Sequence, residues 1–212
     1  HVVKRVMAAT RIDEIVIATT TNPTDDPVDA LANEMKVSVF RGDENNVLER
    51  YFLAAKKFKA THIVRITSDC PLIDYRVIDD VVEAHLDSSA DYTSNTLERT
   101  YPRGMDVEVF TIDALGEANE RANKGYEREH VTPYLYMSGD YRTKSVRAPP
   151  ELSRPEIRIC VDTIEDLELV RELCSIAKGC DNLDLRKIVE IVNQKPEFLR
   201  INSGIHQKAI TE

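Results

Sequence analysis

Two carboxylates stand where apolar runs stop. Thr61-His62-Ile63-Val64-Arg65-Ile66-Thr67 ends in Ser68-Asp69-Cys70-Pro71, and Ile157-Arg158-Ile159-Cys160-Val161 ends in Asp162-Thr163. A β-branched run of this kind reads as a buried parallel strand, and its C-terminal end is where open α/β sheets place their ligand sites. Two such aspartates, far apart in sequence, could meet around one Mg²⁺, which prefers one or two carboxylates plus substrate phosphate oxygens. The chemistry this points to is phosphate transfer on a metal. Each aspartate also has a plainer reading. Asp69 could form an Asx turn or cap a helix, and Asp162-Thr163-Ile164-Glu165-Asp166 resembles a helix start with a capping box.

Two further segments gather polar groups. Tyr101-Pro102-Arg103-Gly104-Met105-Asp106-Val107-Glu108 sets an arginine and two acids around a glycine. At strand spacing Asp106 and Glu108 share one face, which suits hydroxyl recognition on a sugar or, more plainly, a solvated strand face. Gly125-Tyr126-Glu127-Arg128-Glu129-His130 precedes a helix, and Arg128 and His130 could contact an anionic substrate. Ordinary surface charge at a helix start explains the same residues.

The elements that must position these groups alternate over the first half. Strands are predicted at Glu14–Thr20, Val37–Gly42 and Thr61–Thr67. Helices are predicted through Val28, Leu31, Ala32 and Met35, through Asn45–Ala55, and from Asp74 with Val77, Ile78, Val81, Val82 and His85 on one side. This is the pattern of a mostly parallel, Rossmann-like sheet flanked by helices. Past residue 88 the rhythm changes. Tyr92–Thr96 reads as a strand end and Asp106–Ile112 alternates like an antiparallel strand. Helices are expected at Asp113–Lys124, Glu129–Ser138, Thr163–Lys178 and Leu183–Lys195, with strands at Tyr141–Arg147 and Glu156–Val161. No linker divides the 212 residues, so one α/β domain is expected over 1–212.

Composition narrows the functions. At 42% hydrophobic the chain can bury a sizeable core, and without tryptophan and with only 7 glycines an all-β design is disfavoured. A net charge of -9 argues against nucleic-acid binding. No apolar run is long enough for a membrane helix and no secretory signal is visible, so a cytoplasmic, membrane-free protein is expected. Cys70, Cys160, Cys174 and Cys180 show no metal spacing and are expected to be reduced thiols. The opening His1–Ala9 reads as a helix already under way. The expectation is therefore an upstream strand, loop and helix start of roughly 30 residues, the size of a βαβ unit.

Several motifs together carry a resemblance. Val64–Asp74, Pro102–Phe110, Arg128–Pro133, Val161–Leu167 and the ending Ile201–Lys208 (with His206) resemble, in order, those of the CMP-sugar synthetases, or acylneuraminate cytidylyltransferases. The similarity is greatest to the branch of the spore coat polysaccharide biosynthesis protein F. The resemblance implies a nucleotide-diphospho-sugar transferase fold, of glycosyltransferase-A-like type. It also implies Mg²⁺-dependent activation of a sugar or sugar acid with CTP, giving a CMP-sugar and pyrophosphate for surface or spore-coat polysaccharide. By the same resemblance, Asp69 and Asp162 are the metal-binding and catalytic aspartates. Arg103, Asp106, Glu108, Arg128 and His130 line the sugar side. Thr19, Thr20, Asn22, Arg41, Arg65 and Ser68 lie near the nucleotide. Relatives are often dimers, and the Tyr/Val-rich region 126–146 is the expected homodimer interface. The family's triphosphate-binding loop, of Arg-Gly-Ser-Arg type followed by a lysine, is absent from this sequence and is expected upstream. Two alternatives stay open: a glycosyltransferase that consumes a nucleotide sugar, and a non-catalytic sugar- or nucleotide-binding module.

Overall fold

The structure is a computed structural model that describes residues 1–205 and residue 207. His206 and Lys208, part of the C-terminal motif, lie outside the described residues. Strand and helix alternate as expected over the first half. Helix α1 (Val2–Val6) is followed by β1 (Val16–Thr20), α2 (Asp26–Met35), β2 (Ser38–Gly42), α3 (Val47–Lys57), β3 (His62–Arg65) and α4 (Tyr75–Leu86). The second half contains β4 (Tyr92–Ser94), β5 (Glu108–Thr111), α5 (Ile112–Arg121), α6 (Gly125–His130), α7 (Pro133–Met137), β6 (Thr143–Ser145), α8 (Ile164–Ile176) and α9 (Leu185–Gln194).

β1 and β2 pair in parallel, from Val16 opposite Ser38 to Thr20 opposite Gly42. The other four strands lie in the order β3-β5-β4-β6. β5 runs antiparallel to both its neighbours, and β4 is parallel to β6. Thus β3, β4 and β6 share one direction and β5 alone opposes them, which is the strand whose strict alternation predicted an antiparallel partner.

β5 is buried on both faces, and its period-2 geometry divides the core. Val107 and Val109 pack with Val77, Ile78 and Val81 of α4 and with Leu169 and Leu173 of α8. Phe110 faces the other way, toward Leu48 of α3, Leu115 of α5 and Leu135 of α7. Glu108 shares that second face and is buried there, so its charge needs partners from within the fold.

Several expectations are corrected. Glu156–Val161 is not a strand: a single parallel bridge joins Arg103 to Arg158. Ile157 and Ile159 are nevertheless fully buried, so the alternation reported burial rather than a ladder. The helix expected over Glu129–Ser138 is two helices, because Val131 adopts a φ of 72° and Pro133 opens the next turn. Of the apolar positions of α2 only Ala32 is buried, while Val28 and Leu31 face solvent. Cys174 and Cys180 form a disulfide, against the expectation of four reduced thiols; Cys70 and Cys160 are free and buried. No helix among the described residues is long and apolar enough to cross a membrane.

Candidate active site

Asp69 lies in the turn after β3. That turn is closed by Cys70 N–H donating to Thr67 O at 3.3 Å and Ile73 N–H donating to Cys70 O at 3.1 Å. The main-chain carbonyl of Asp69 accepts from Val161 N–H at 2.8 Å, which fastens the Asp162 segment beside it. One oxygen of Asp69, one of Asp162 and Sγ of Cys160 all lie within 4.8 Å of one another. A cation with ligand distances of about 2.0–2.6 Å spans such a set. The two aspartates therefore do meet, although no strand among the described residues leads to Asp162.

Neighbouring residues do the capping that could otherwise explain both aspartates. Helix α4 is capped by Asp74, whose carboxylate accepts from Arg76 N–H at 3.0 Å and from Leu185 N–H at 2.8 Å. Helix α8 is capped by Thr163, with Asp166 completing the box. Among the described residues, the Asp69 carboxylate accepts a hydrogen bond only from the Cys70 thiol, at 3.6 Å. Asp162 is exposed, and its carboxylate accepts from Arg158 Nη2 and lies 3.7 Å from Cys160 Sγ. Both keep oxygen lone pairs free for a ligand.

Arg158 is the organiser of this corner. Its guanidinium bridges Asp162 to Asp166, donating to Asp166 through Nε at 2.9 Å and Nη2 at 3.0 Å. Asp166 is fully buried and also accepts from Asn202 Nδ2 at 2.8 Å and from the N–H groups of Asp162 and Thr163. Burial alone would raise its pKa, but the bonds from Arg158 and Asn202 outweigh that and hold it down at about 2. Burial pushes the Cys160 thiol up to about 12, and burial likewise raises Cys70.

The loop before β5 closes another side. Gly104 has a φ of 103°, and a Cβ there would sit 2.7 Å from Cys160 N, so glycine alone lets the loop lie on this segment. Arg103 is half-buried, and its guanidinium has no hydrogen-bond partner among the described residues. Burial and then the charge of Arg99 lower its pKa, a site that an anion would relieve.

Other residues singled out in the sequence have different work. Asp106 precedes the strand and is held bidentately by Arg99, at 2.8 Å for both bonds. Glu108 pairs with Arg65 and accepts from Tyr92 OH at 2.7 Å and Thr132 Oγ1 at 2.6 Å. The two acids do not form one open recognition face, because each has its own arginine. Arg65 is thereby tied to Glu108, with its Nε buried and unpartnered. Arg128 is spent on the C-terminus of α5, donating to Ala122 O at 2.7 Å and Asn119 Oδ1 at 3.1 Å. His130 ends α6, and its ring makes no hydrogen bond among the described residues. Ser68 is exposed beside Asp69.

Thr19, Thr20, Asn22 and Arg41 form a second cluster at the end of β1. Its hub is Asp25, which accepts from Thr19 Oγ1 at 2.6 Å, Thr20 Oγ1 at 2.7 Å and Thr20 N–H at 3.0 Å. These hydroxyl bonds hold Asp25 at about 2. Arg41 locks the same loop by donating to Thr20 O and Asn22 O, each at 2.7 Å. No hydrogen bond or ion pair among the described residues links this cluster to Asp69 and Asp162. The sequence reading gave no site role to Asp25, Arg99, Arg158 and Asp166, although it read the capping box that Asp166 completes. For Cys160 the available signal was its place two residues before Asp162.

Residues 1–195 match the family model described as cytidylyltransferase. The chain belongs to this cytidylyltransferase family. An uncharacterized protein of Methanocaldococcus jannaschii is 39% identical over 212 residues, covering 99% of this chain and 85% of that protein. The spore coat polysaccharide biosynthesis protein SpsF of Bacillus subtilis is 30% identical over 187 residues, or 87% of this chain and 77% of SpsF. A cytidylyltransferase structure from Leptospira borgpetersenii serovar Hardjo-bovis matches with a TM-score of 0.87 at 30% identity, covering 96% of this chain and 85% of the other. A CMP:2-keto-3-deoxy-manno-octonic acid synthetase complexed with CTP shares the fold at a TM-score of 0.60 and 17% identity, over 83% of this chain and 86% of that one. The α/β nucleotide-diphospho-sugar transferase architecture expected from the motifs is thus the architecture of this cytidylyltransferase family member.

Proposed function

We propose that the protein transfers a cytidylyl group from CTP to a hydroxyl of a sugar or sugar acid, giving a CMP-sugar and pyrophosphate. The observation that carries this reading is the meeting of Asp69 and Asp162, both released from capping, in a member of the cytidylyltransferase family. The donors fit Mg²⁺, which takes one or two protein carboxylates alongside substrate phosphate oxygens. Bound there, Mg²⁺ would neutralise charge on the α-phosphate and the leaving pyrophosphate.

The chain's own residues would position the reactants. Asp69 and Asp162 hold the cation, and Arg158 with Asp166 fixes the orientation of Asp162. Arg103 binds an anionic group, either a phosphate or the carboxylate of a sugar acid, through its guanidinium, which is unpaired among the described residues. The sugar oxygen forms a bond to the α-phosphorus, the bond to pyrophosphate breaks in line, and the hydroxyl proton is released. Such transfer depends on positioning and electrostatic stabilisation more than on covalent help. Ser68, Thr19, Thr20, Asn22 and Arg41 are assigned to the nucleotide side and His130 to the sugar side, while Arg65 stays with Glu108. The name of the Bacillus relative supports a product destined for a coat or surface polysaccharide. A cytoplasmic homodimer is the working form we propose.

The test is calorimetric binding of each of the four nucleoside triphosphates to the full natural protein with Mg²⁺, followed by pyrophosphate release across a panel of sugars. Binding of CTP alone, with release driven by a sugar acid, is expected. Binding of a nucleotide diphosphosugar without CTP binding would replace this reading by glycosyl transfer.

A further inference from the structure

The cation site contains an atom that phosphate chemistry does not require. We infer that Cys160 is a third protein ligand there, so that the site is a mixed carboxylate–thiolate centre that takes thiophilic divalent cations more tightly than Mg²⁺. The inference rests on the reading that Asp69 and Asp162 hold a cation.

Geometry separates the two free thiols. Sγ of Cys160 belongs to the same set of mutually close donor atoms as Asp69 and Asp162. Cys70 is outside that set; its Sγ turns to the Thr67 hydroxyl at 3.3 Å and to the edge of Asp69. The backbone of Cys160 is also held at the site. It is pressed by the Gly104 loop on one side, and the next residue, Val161, is bonded to Asp69 O.

Ligand chemistry then sets the preference. Mg²⁺ takes oxygen ligands and gains nothing from sulfur, whereas Zn²⁺, Co²⁺ and Cd²⁺ accept thiolate readily. Two carboxylates and one thiolate leave a fourth position open, the arrangement of a reactive rather than a closed zinc site. As the Sγ–metal bond forms, the S–H bond breaks and its proton passes to the buffer. A thiophilic ion bound in this way competes with Mg²⁺ for Asp69 and Asp162.

Co²⁺ titrated into the full natural protein reads the ligand directly, because thiolate ligation gives a near-ultraviolet charge-transfer band. The band is expected in the wild type and in Cys70→Ser, and is expected to vanish in Cys160→Ser. Loss of this ligand should weaken Co²⁺ binding on the order of 100-fold, the upper end of what even an outer partner of a metal ligand costs. Cadmium NMR of the unmodified protein, whose shift reports sulfur ligation, answers the same question if the variant does not fold. A band that survives Cys160→Ser overturns the inference. So does no band in a wild type that still binds Mg²⁺ through Asp69, and in that case the cation reading stands. Binding of neither ion overturns both.

Discussion

Replacing Asp166 by Asn tests the electrostatic scaffold beneath the site. The carboxylate is fully buried and accepts five hydrogen bonds: two from Arg158, one from Asn202, and one each from the N–H groups of Asp162 and Thr163. An amide of the same shape offers one acceptor oxygen and turns an NH₂ group toward donors. The side chain of Arg158 is only 11% exposed, so it keeps its charge with a poorer partner. Breaking a buried pair costs about 3–5 kcal/mol. Arg158 retains Asp162, which puts the expectation at the lower end, about 3 kcal/mol. For a chain of this size that is a fall of roughly 6–12 °C in melting temperature.

The pH dependence gives a second readout with a fixed sign. Asp166 titrates at about 2 in the folded protein against 3.8 for the free group. A depressed carboxylate stabilises the fold above its unfolded pKa, and that contribution is lost as pH falls through the folded value. The shift is worth roughly 2 kcal/mol. The stability gap between wild type and Asp166→Asn should therefore be constant above about pH 4, narrow between about pH 4 and 2, and keep a residue from the misplaced amide. Urea unfolding across that range measures it. An unchanged melting temperature, or a gap that does not narrow in acid, would refute the argument.

Asp69→Asn should abolish turnover while leaving thermal unfolding close to wild type, since its carboxylate takes no backbone hydrogen bond among the described residues. Arg103→Ala should weaken binding of the anionic ligand by roughly 10- to 100-fold, the worth of a charged hydrogen bond, with little change in melting, as measured by calorimetry. Gly104→Ala forces a Cβ against Cys160 N at a φ of 103°, and should cost about 1–3 kcal/mol in urea unfolding together with much of the activity. Glu108→Gln should destabilise by about 3–5 kcal/mol because it leaves Arg65 buried without its counter-charge.

What the sequence displayed was periodicity and the ends of runs. The buried side of α4, with Val77, Ile78, Val81, Val82 and His85, follows directly from helical spacing, and the opposed direction of β5 follows from strict alternation. Asp69 and Asp162 were visible because each ends an apolar run. Partnerships were not visible. Arg65 and Glu108 are 43 residues apart, and no local pattern tells a strand arginine that its charge will be matched across the sheet. The same holds for Arg99 with Asp106, where proximity in sequence was there to be read but the strand periodicity drew Asp106 onto the wrong surface. Arg128 looked like a ligand because it is charged and near a helix start, yet its helix lies against the end of α5, whose carbonyl it satisfies. Ile157 and Ile159 show the limit most clearly: alternation marks which side chains are buried, and burial was met by packing without a second strand.

The position of Asp162 consequently depends on contacts that no sheet supplies. Its segment makes one bridge to Arg103, one bond from Val161 N–H to Asp69 O, and the Arg158–Asp166–Asn202 network that ties it to α8 and to the chain after α9. Asp69 is held by its own turn and by the core beneath Leu72 and Ile73. Both segments pack into one core, Ile157 and Ile159 together with Leu72 and Ile73, but Asp162 depends in addition on the hydrogen-bonded network of Arg158. A perturbation of α8 or of Asn202 should change the distance between them before it unfolds β3, so that cation affinity falls earlier than secondary structure as denaturant is raised. If circular dichroism and Co²⁺ binding were instead lost together, the segment carrying Asp162 would belong to the same cooperative unit as the sheet.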